Sequence, residues 1–211
     1  NNNRIQKFDG NGTFVAEWGT LGTGTGQFHL PTGVAVDGSG YVYVADYGNN
    51  RIQKFDGSGT FLAQWGGLGG ASGLLNSPFG VAVDARGYVY VADYGNQRIQ
   101  KFDASGTFLA KWGTSGSADG QFSGSVLVAT DASGNVFVAD GGNRIQKFAP
   151  ATPQAQTIVV RVNGDTHVEP NETLTLTLTN PVNAALGLAV ATGTILNNDF
   201  VVSIGDAEVA E

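Results

Sequence analysis

The stretch Val-Ala-Asp-Tyr-Gly-Asn-Asn-Arg-Ile-Gln-Lys-Phe-Asp occupies residues 44–56 and recurs 47 residues later, at residues 91–103, with Gln97 in place of Asn50. Its second half, Arg-Ile-Gln-Lys-Phe, also occurs at residues 4–8 and 144–148. A fixed period of this length that contains several short strand patterns is typical of a β-propeller, in which each repeat forms one four-stranded blade. The repeat therefore predicts an all-β fold.

Each repeat contains four segments rich in β-branched and aromatic residues, and Gly, Asn, Asp or Ser bound each segment. Turns of the pattern Asp-x-x-Gly join the first segment to the second and the third to the fourth. An Asp side chain accepts a hydrogen bond from the backbone two residues on, and Gly supplies the positive φ of a tight turn. We therefore interpret six Asp residues as turn-forming and not catalytic: Asp9, Asp37, Asp56, Asp84, Asp103 and Asp131.

The number of strand patterns predicts a partial propeller. Three first strands, three second, four third and three fourth make 13, or about three four-stranded blades. Closed propellers have about 4–8 blades. After residue 148 the repeat gives way to Ala-Pro-Ala-Thr-Pro, so we place the propeller at residues 1–149. We expect further repeats in a longer multidomain chain, or completion of the arc by another chain.

Comparison of the copies separates the buried side of the fourth strand from the solvated side. The variable position is Glu17, Gln64 or Lys111, and a position that accepts either charge sign faces solvent. Its neighbours in the alternating pattern point the other way. We expect the invariant neighbours to pack between blades: Phe14, Ala16, Trp18, Phe61, Ala63, Trp65, Phe108, Ala110 and Trp112.

The composition disfavours several classes of function. The chain has no Cys, which excludes a disulfide framework and a thiol nucleophile in this sequence. Residues 1–149 carry 10 Lys/Arg and 11 Asp/Glu, and residues 150–211 carry one Arg and 7 Asp/Glu. Neither part has the basic surface that nucleic acids require, so we expect no nucleic-acid partner, including RNA. No apolar run approaches the roughly 20 residues of a membrane-spanning helix.

Residues 44–56, preceded by Pro31-x-Gly-Val-Ala-Val-Asp, resemble the NHL repeat. The resemblance covers roughly residues 1–148 and implies a propeller with four antiparallel strands in each blade. It also implies that the repeated Asp and Arg residues are architectural, and they form the pairs Asp46/Arg51, Asp93/Arg98 and Asp140/Arg144.

Residues 154–199 resemble the second half of a Calx-β domain, and the Thr/Leu alternation at residues 172–179 is typical of a strand with one apolar face. We place this partial β-sandwich at residues 150–200 and the first strand of another such domain at residues 201–211. The resemblance implies secreted or cell-surface proteins, and calcium sites in some members. The matching acidic positions, which would be calcium ligands or else solvated loop acids, are Glu169, Glu172, Asp199 and Glu211.

These patterns favour a non-enzymatic binding or adhesion module of an extracellular or cell-surface repeat protein. Loops that vary on a constant scaffold are common recognition sites. We therefore expect a protein or glycan ligand on one propeller face, contacted by Tyr47, Asn49, Tyr94, Asn96 and His29. The alternative is a propeller lyase or hydrolase with a metal in a central channel. Such a site needs several His or convergent acids, and residues 1–149 contain one His.

Overall fold

The computed structural model describes residues 2–150 and, in the rest of the chain, the backbone of seven short strands. Side chains are described for residues 2–150 apart from residues 125 and 126. The chain divides into two compact units, Asn1–Pro150 and Ala151–Glu211.

The first unit is built from strands and two single-turn 3-10 helices, Tyr47–Asn49 and Tyr94–Asn96. Its strands are β1 (Ile5–Phe8), β2 (Phe14–Trp18), β3 (Thr20–Leu21), β4 (Gln27–Phe28), β5 (Pro31–Val36), β6 (Val42–Asp46), β7 (Arg51–Phe55), β8 (Phe61–Gly66), β9 (Pro78–Val83), β10 (Val89–Asp93), β11 (Arg98–Phe102), β12 (Phe108–Trp112), β13 (Ser125–Thr130), β14 (Val136–Asp140) and β15 (Arg144–Phe148).

These strands form four antiparallel sheets in which strands adjacent in sequence are adjacent in space. Two sheets have four strands, β5-β6-β7-β8 and β9-β10-β11-β12. Among the described residues, the sheet β13-β14-β15 has three strands and the sheet β1-β2 has two. Within the connection to β5, β3 and β4 form a short parallel pair. The all-β prediction is confirmed, and the succession of antiparallel sheets is that of a propeller-like fold.

The Asp-x-x-Gly turns have the hydrogen bonds that the sequence predicts. The Asp56 carboxylate accepts the backbone N–H groups of Ser58 and Thr60, both at 2.9 Å. The Gly59 N–H closes the turn on the Asp56 carbonyl, and Gly59 has a φ of +92°. The other five Asp residues accept the same two backbone N–H groups. All six are therefore turn-forming residues.

The inner strands of neighbouring sheets lie close together. Thr32 donates its hydroxyl to the Phe79 carbonyl at 2.7 Å, across the gap between β5 and β9. A Cβ at Gly33 would lie 2.7 Å from the same carbonyl oxygen, so a larger residue would push the two strands apart. Deeper in the unit, each connection between sheets buries one apolar anchor completely, and these anchors are Phe28, Leu75 and Phe122.

The repeated tryptophans pack between sheets, as the sequence predicts. Trp18 of β2 packs at a tilt against Phe55 of the next sheet, with ring centroids 6.1 Å apart and an interplanar angle of 50°. Trp65 lies 6.0 Å from Phe102 in a similar arrangement. Trp112 lies 5.8 Å from Phe148 in the same way. Their indole N–H groups are buried and have no hydrogen-bond partner among the described residues. Hydrophobic packing alone therefore holds these rings in place.

The prediction that the repeated Phe residues lie between blades is wrong for Phe14, which is 52% exposed. Phe14 packs edge-on against Phe8 of its own hairpin, with centroids 6.2 Å apart. Phe61 meets Phe55 in the same geometry, and Phe108 meets Phe102. These rings therefore cover the outer hairpin of their own sheet. Ala110 is also exposed.

The second unit is described as strand segments that pair in an antiparallel manner. They are β16 (Gln154–Gln156), β17 (Val159–Val160), β18 (Glu172–Thr177), β19 (Ala185–Leu186), β20 (Val190–Ile195), β21 (Val202–Ser203) and β22 (Ala207–Ala210). The longest pairing joins β18 to β20, and it includes the Thr/Leu alternation predicted as a strand. Of the predicted calcium ligands, Glu169, Asp199 and Glu211 lie outside the described residues, and so does the side chain of Glu172.

Candidate functional site

The predicted ligand loops come together on one face of the first unit. This face, called the loop face below, consists of the two 3-10 turns and the connections at residues 19–30, 67–77 and 113–124. The Asp-x-x-Gly turns lie at the opposite ends of the strands. Because β6 to β7 and β8 to β9 are joined at the same end of the sheet, the variable segments of each repeat meet there.

A buried ion pair supports each part of the loop face. Asp93 is the last residue of β10 and is fully buried. Its carboxylate accepts a hydrogen bond of 2.7 Å from Nε of Arg98, the first residue of β11. The same carboxylate accepts the side-chain amides of Asn96 and Gln100 and the backbone N–H of Asn76. Every hydrogen-bonding direction of this carboxylate is therefore used within the fold.

The arginine of each pair fixes the connection beside it. Arg98 donates to the carbonyls of Gly70, Ala71 and Leu74 at 2.7–2.9 Å. Arg51 makes the equivalent bonds to Thr23, Gly24 and Gln27. Since Arg presents several N–H groups in a rigid planar fork, one side chain holds a whole loop. The prediction that these Asp and Arg residues are architectural agrees with this geometry.

The third copy has the same arrangement in a more open form. Arg144 donates to Asp140 at 2.8 Å and to the carbonyls of Ser117, Ala118 and Gln121. Burial would raise the pKa of Asp140. Hydrogen bonds from Arg144 and from the backbone of Ser123 and Gly142 outweigh burial and hold that pKa below its usual value. Asp140 is therefore an ionised structural carboxylate at neutral pH.

Three aromatic rings cross the loop face. Phe79, in β9, lies 6.1 Å from Tyr47 in an edge-on arrangement and 6.5 Å from Tyr94. Tyr47 and Tyr94 come from the 3-10 turns of two successive sheets, so the row spans two sheets. Tyr94 is 40% exposed, whereas Tyr47 and Phe79 are half-buried. Comparison of the repeats did not find Phe79, because the preceding repeat has Thr32 at the same position and the aromatic residue does not recur.

The other predicted contact residues lie on the same face but differ in availability. His29 is exposed, and its ring lies directly over Gly48, where an added Cβ would collide with the imidazole. Asn49 donates its amide to the Gly22 carbonyl and to Asp46, and Asn96 donates to Gly69 and Asp93. The structure therefore assigns the amide donors of both asparagines to loop support. Contact with a ligand remains a prediction for all five residues.

A groove of about 570 Å³ lies beside Tyr94, at the connection between β12 and β13. Its lining includes Tyr94, Gln97, Ser115, Ser117, Ser123 and Gly124. Small-molecule sites have volumes of about 300–1,000 Å³. The groove is thus large enough for a small ligand, and an aromatic ring forms one wall.

Side chains that could bind a metal ion are not clustered in the part of the chain that the structure describes. Among the described residues, no three His, Cys, Asp or Glu side chains are grouped closely enough to hold a metal ion. Nor does the described part contain a helix long and apolar enough to cross a membrane.

The sheets and their repeated Asp–Arg pairs define a propeller-like protein, and residues 28–55 match the family model for the NHL repeat. A second family model, described as "Mal s 1 allergenic protein-like", matches residues 71–191, which is more than half of the chain. The chain therefore belongs to the Mal s 1 allergenic protein-like family.

Among solved structures, a streptogramin B lyase structure is similar to this chain, with a TM-score of 0.50 and 16% sequence identity. The match covers 75% of this chain and 52% of the lyase chain, so this chain spans about half the length of that protein. At this identity the similarity shows the propeller-like fold alone. No curated protein matches the chain significantly.

The comparisons do not support the predicted Calx-β resemblance of residues 154–199. The Mal s 1-like match runs through most of this segment and continues across Pro150, where the sequence predicts a domain boundary. Apart from the strands β16 to β20, this segment lies outside the described residues.

Proposed function

We propose that this protein is a non-enzymatic binding module that holds its ligand, a protein or a glycan, on the loop face. The observation that carries the proposal is the aromatic row of Tyr47, Phe79 and Tyr94, which spans two sheets. Tyrosine is enriched in binding interfaces because it offers a large rigid surface together with a polar group. Buried ion pairs beneath the row keep its loops in place, so binding would cost little ordering entropy.

The chemistry of the carboxylates also supports binding over catalysis. Each repeat ends its second strand with a carboxylate that accepts hydrogen bonds from a guanidinium and from a side-chain amide. These carboxylates are Asp46, Asp93 and Asp140. The turn aspartates accept backbone N–H groups. A general base needs a free lone pair directed at a substrate, and these carboxylates direct theirs at the fold.

The test compares two faces of the same unit. Labelled protein is applied to intact cells and to a panel of displayed extracellular proteins and glycans, and the affinities of Tyr47→Ala and Tyr94→Ala variants are measured. We expect each variant to bind about tenfold more weakly, since an aromatic contact contributes about 0.5–1.5 kcal/mol beyond its buried area. Tyr41→Ala is the matched control, because Tyr41 is 38% exposed beside an Asp-x-x-Gly turn. The proposal would be refuted if Tyr41→Ala lost as much affinity as the other two variants. It would also be refuted if the unmodified protein bound none of the cells, proteins or glycans.

Extracellular or cell-surface localisation is part of the same proposal, and so is calcium binding by Glu169, Glu172, Asp199 and Glu211. Carboxylate oxygens are the preferred ligands of Ca²⁺. The calcium proposal predicts a rise in melting temperature at millimolar CaCl₂ that Glu172→Gln abolishes. An unchanged melting temperature with CaCl₂ would exclude a stabilising site.

The second candidate is a propeller enzyme, a lyase or hydrolase that uses a metal. The solved structure with a similar fold carries the name of a lyase, although the similarity extends only to the fold. Elemental analysis of the purified protein tests this candidate directly. One equivalent of a transition metal per chain, lost together with bond-cleaving activity after chelation, would favour the enzyme.

A further inference from the structure

The three connections of the loop face have equivalent positions 47 residues apart, and the third connection differs from the others in polarity. At one such position the first two connections expose leucines, Leu21 at 66% and Leu68 at 70%. The third has Ser115, which forms the same parallel bridge to the buried anchor, here Phe122. A hydroxyl therefore replaces an exposed apolar side chain only at the third connection.

The hydrogen bond that closes the connection onto the preceding turn is also missing there. Asn50 accepts the backbone N–H of Ser77 at 2.8 Å, and Asn3 accepts that of Leu30 at 2.9 Å. The equivalent residues at the third connection are Gln97 and Gly124. The longer Gln97 side chain makes no hydrogen bond to the Gly124 N–H or to any other described residue. The groove beside Tyr94 lies at this altered junction.

The groove combines one aromatic wall with neutral polar groups. Its lining residues include Gln97, Ser115, Ser117 and Ser123. The side-chain amide of Gln97 and the three serine hydroxyls make no hydrogen bonds to other described side chains or backbone groups. No carboxylate, ammonium or guanidinium lines it. Gly124 lies close to the edge of the Tyr94 ring, since an added Cβ would come within 3.3 Å of it. The absence of a side chain at this position leaves the ring wall open.

The groove is also rigidly supported. Asp140 accepts the backbone N–H of Ser123 at 2.8 Å, and Arg144 holds the Ser117 carbonyl at 2.7 Å. The lining serines therefore have their backbone fixed while their hydroxyls remain available. Such a preorganised set of donors and acceptors lowers the entropic cost of ligand binding.

We propose that this groove binds a neutral carbohydrate. A pyranose ring has an apolar C–H face suited to the Tyr94 ring, and its hydroxyls both donate and accept hydrogen bonds, as serine hydroxyls and a glutamine amide do. The lack of charged groups in the lining selects against sialylated or uronic-acid sugars, whose charge would have no partner. The inference rests on the proposed function, because it specifies a ligand class for one part of the loop face.

The experiment titrates the isotopically labelled full chain with cellotetraose, xylotetraose, mannotetraose and chitotetraose at millimolar concentrations, with tetragalacturonate as the charged comparison. Backbone amide shifts of Gly116 and Gly124 and the side-chain amide shift of Gln97 report on the groove. We expect saturable shifts with at least one neutral sugar and none with tetragalacturonate.

Four variants test the assignment. Tyr94→Ala should weaken binding about tenfold, whereas Tyr94→Phe, which keeps the ring, should stay within about threefold. Ser115→Leu installs the residue of the other two connections and should weaken binding about two- to tenfold by removing a hydrogen bond and filling the groove. Leu68→Ser makes the reverse change at the second connection and should leave the affinity unchanged.

The outcomes separate this inference from the proposed function. If no neutral sugar shifts these signals, or if Ser115→Leu and Tyr94→Ala bind as well as the unmodified protein, the carbohydrate groove is refuted. A ligand of another class that still depends on Tyr47 and Tyr94 would then leave the binding-module proposal standing. If the protein bound neither a neutral sugar in the groove nor any ligand that depends on Tyr47 and Tyr94, both proposals would be refuted.

Discussion

The guanidinium Nε of Arg98 donates to Oδ2 of Asp93 across 2.7 Å, and both side chains are almost wholly buried. This contact joins the end of one strand to the start of the next, and the remaining donors of Arg98 hold the adjoining connection. The relationship recurs at Arg51 and at Arg144. The conformation of the loop face therefore depends on these three ion pairs.

Arg98→Ala should destabilise the protein strongly, because it leaves the Asp93 carboxylate buried without its cation. Removal of one partner of a buried pair costs about 3–5 kcal/mol. Urea denaturation followed by circular dichroism measures the loss. Arg4→Ala is the control, since Arg4 pairs with Glu17 at the surface and its removal should cost about 1 kcal/mol or less. If the two variants lost the same free energy of unfolding, burial of the Asp93–Arg98 pair would not contribute to its effect on stability.

Three glycine substitutions separate backbone strain from steric collision. Gly38→Ala should be nearly neutral, because no atom lies within 4 Å of the new Cβ and φ is not positive. Gly12→Ala, at φ +84° in open space, should cost about 1–2 kcal/mol through the left-handed backbone alone.

Gly106→Ala should cost more than Gly12→Ala, because its φ is +91° and its Cβ would lie 2.6 Å from the Trp65 ring. Displacement of that ring from between two sheets adds about 1–3 kcal/mol of overpacking. Thermal denaturation of the three variants gives the order. A Gly106→Ala protein no less stable than Gly12→Ala would mean that Trp65 moves aside freely.

The Asp-x-x-Gly turns should make stability fall in acid. The Ser58 hydroxyl and the Thr60 backbone N–H, in that order, are the main groups that lower the pKa of Asp56, to about 2. Because folding lowers this pKa, its stabilising contribution is complete above the ordinary Asp value and disappears as the pH falls through about 2. The pKa of Asp131 is lowered in the same direction, chiefly by the Asn135 side chain.

A carboxyl NMR titration of Asp56 together with melting curves from neutral pH downward checks this expectation. Ser58→Ala removes the largest cause and should raise the pKa of Asp56 toward its ordinary value, so that the melting temperature depends less on pH near that value. An unchanged titration in Ser58→Ala would contradict the hydrogen-bond explanation.

Gln97→Asn should stabilise the third connection. Gln97 has a φ of +51°, a conformation that Asn adopts more readily than Gln. Asn would also bring its Oδ1 within reach of the Gly124 N–H, as Asn50 does for Ser77. We expect a gain of about 0.5–1.5 kcal/mol in the free energy of unfolding, from one added hydrogen bond.

Asn50→Gln is the reciprocal change and should lower stability by a similar amount. If both exchanges leave the unfolding free energy unchanged, the side chain at this position does not close the connection. In that case the altered hydrogen bonding of the third connection would have no energetic consequence.

Much of the site could be predicted from repetition. The pairs of Asp93 with Arg98 and of Asp46 with Arg51 lie at equivalent places in each repeat, so recurrence alone marked them as architectural. Phe79 could not be found in this way, because Thr32 occupies its position in the preceding repeat. Its role depends on contacts with two tyrosines from different sheets, and no local pattern encodes such contacts.

The roles of the loop asparagines likewise depended on three-dimensional contacts. Asn49 has the exposed, turn-like sequence context of a contact residue, and the sequence predicted it as one. The structure directs its amide to Gly22, 27 residues earlier in the chain. Contacts over such separations follow from how sheets pack, which the local sequence does not specify.

By itself, the sequence determined the strands, the Asp-x-x-Gly turns and the Asp–Arg pairs, because these depend on hydrogen bonds and alternation within one repeat. Burial was decided by the tertiary structure. Ile52 and Ile99 are fully buried, whereas Ile145, in an identical pentapeptide, is 66% exposed, and Val81 is 6% exposed where the equivalent Val34 is 54% exposed. Val81 lies in β9, which has an inner strand on each side, β5 and β13. An apolar side chain is removed from water only where a neighbouring sheet covers it.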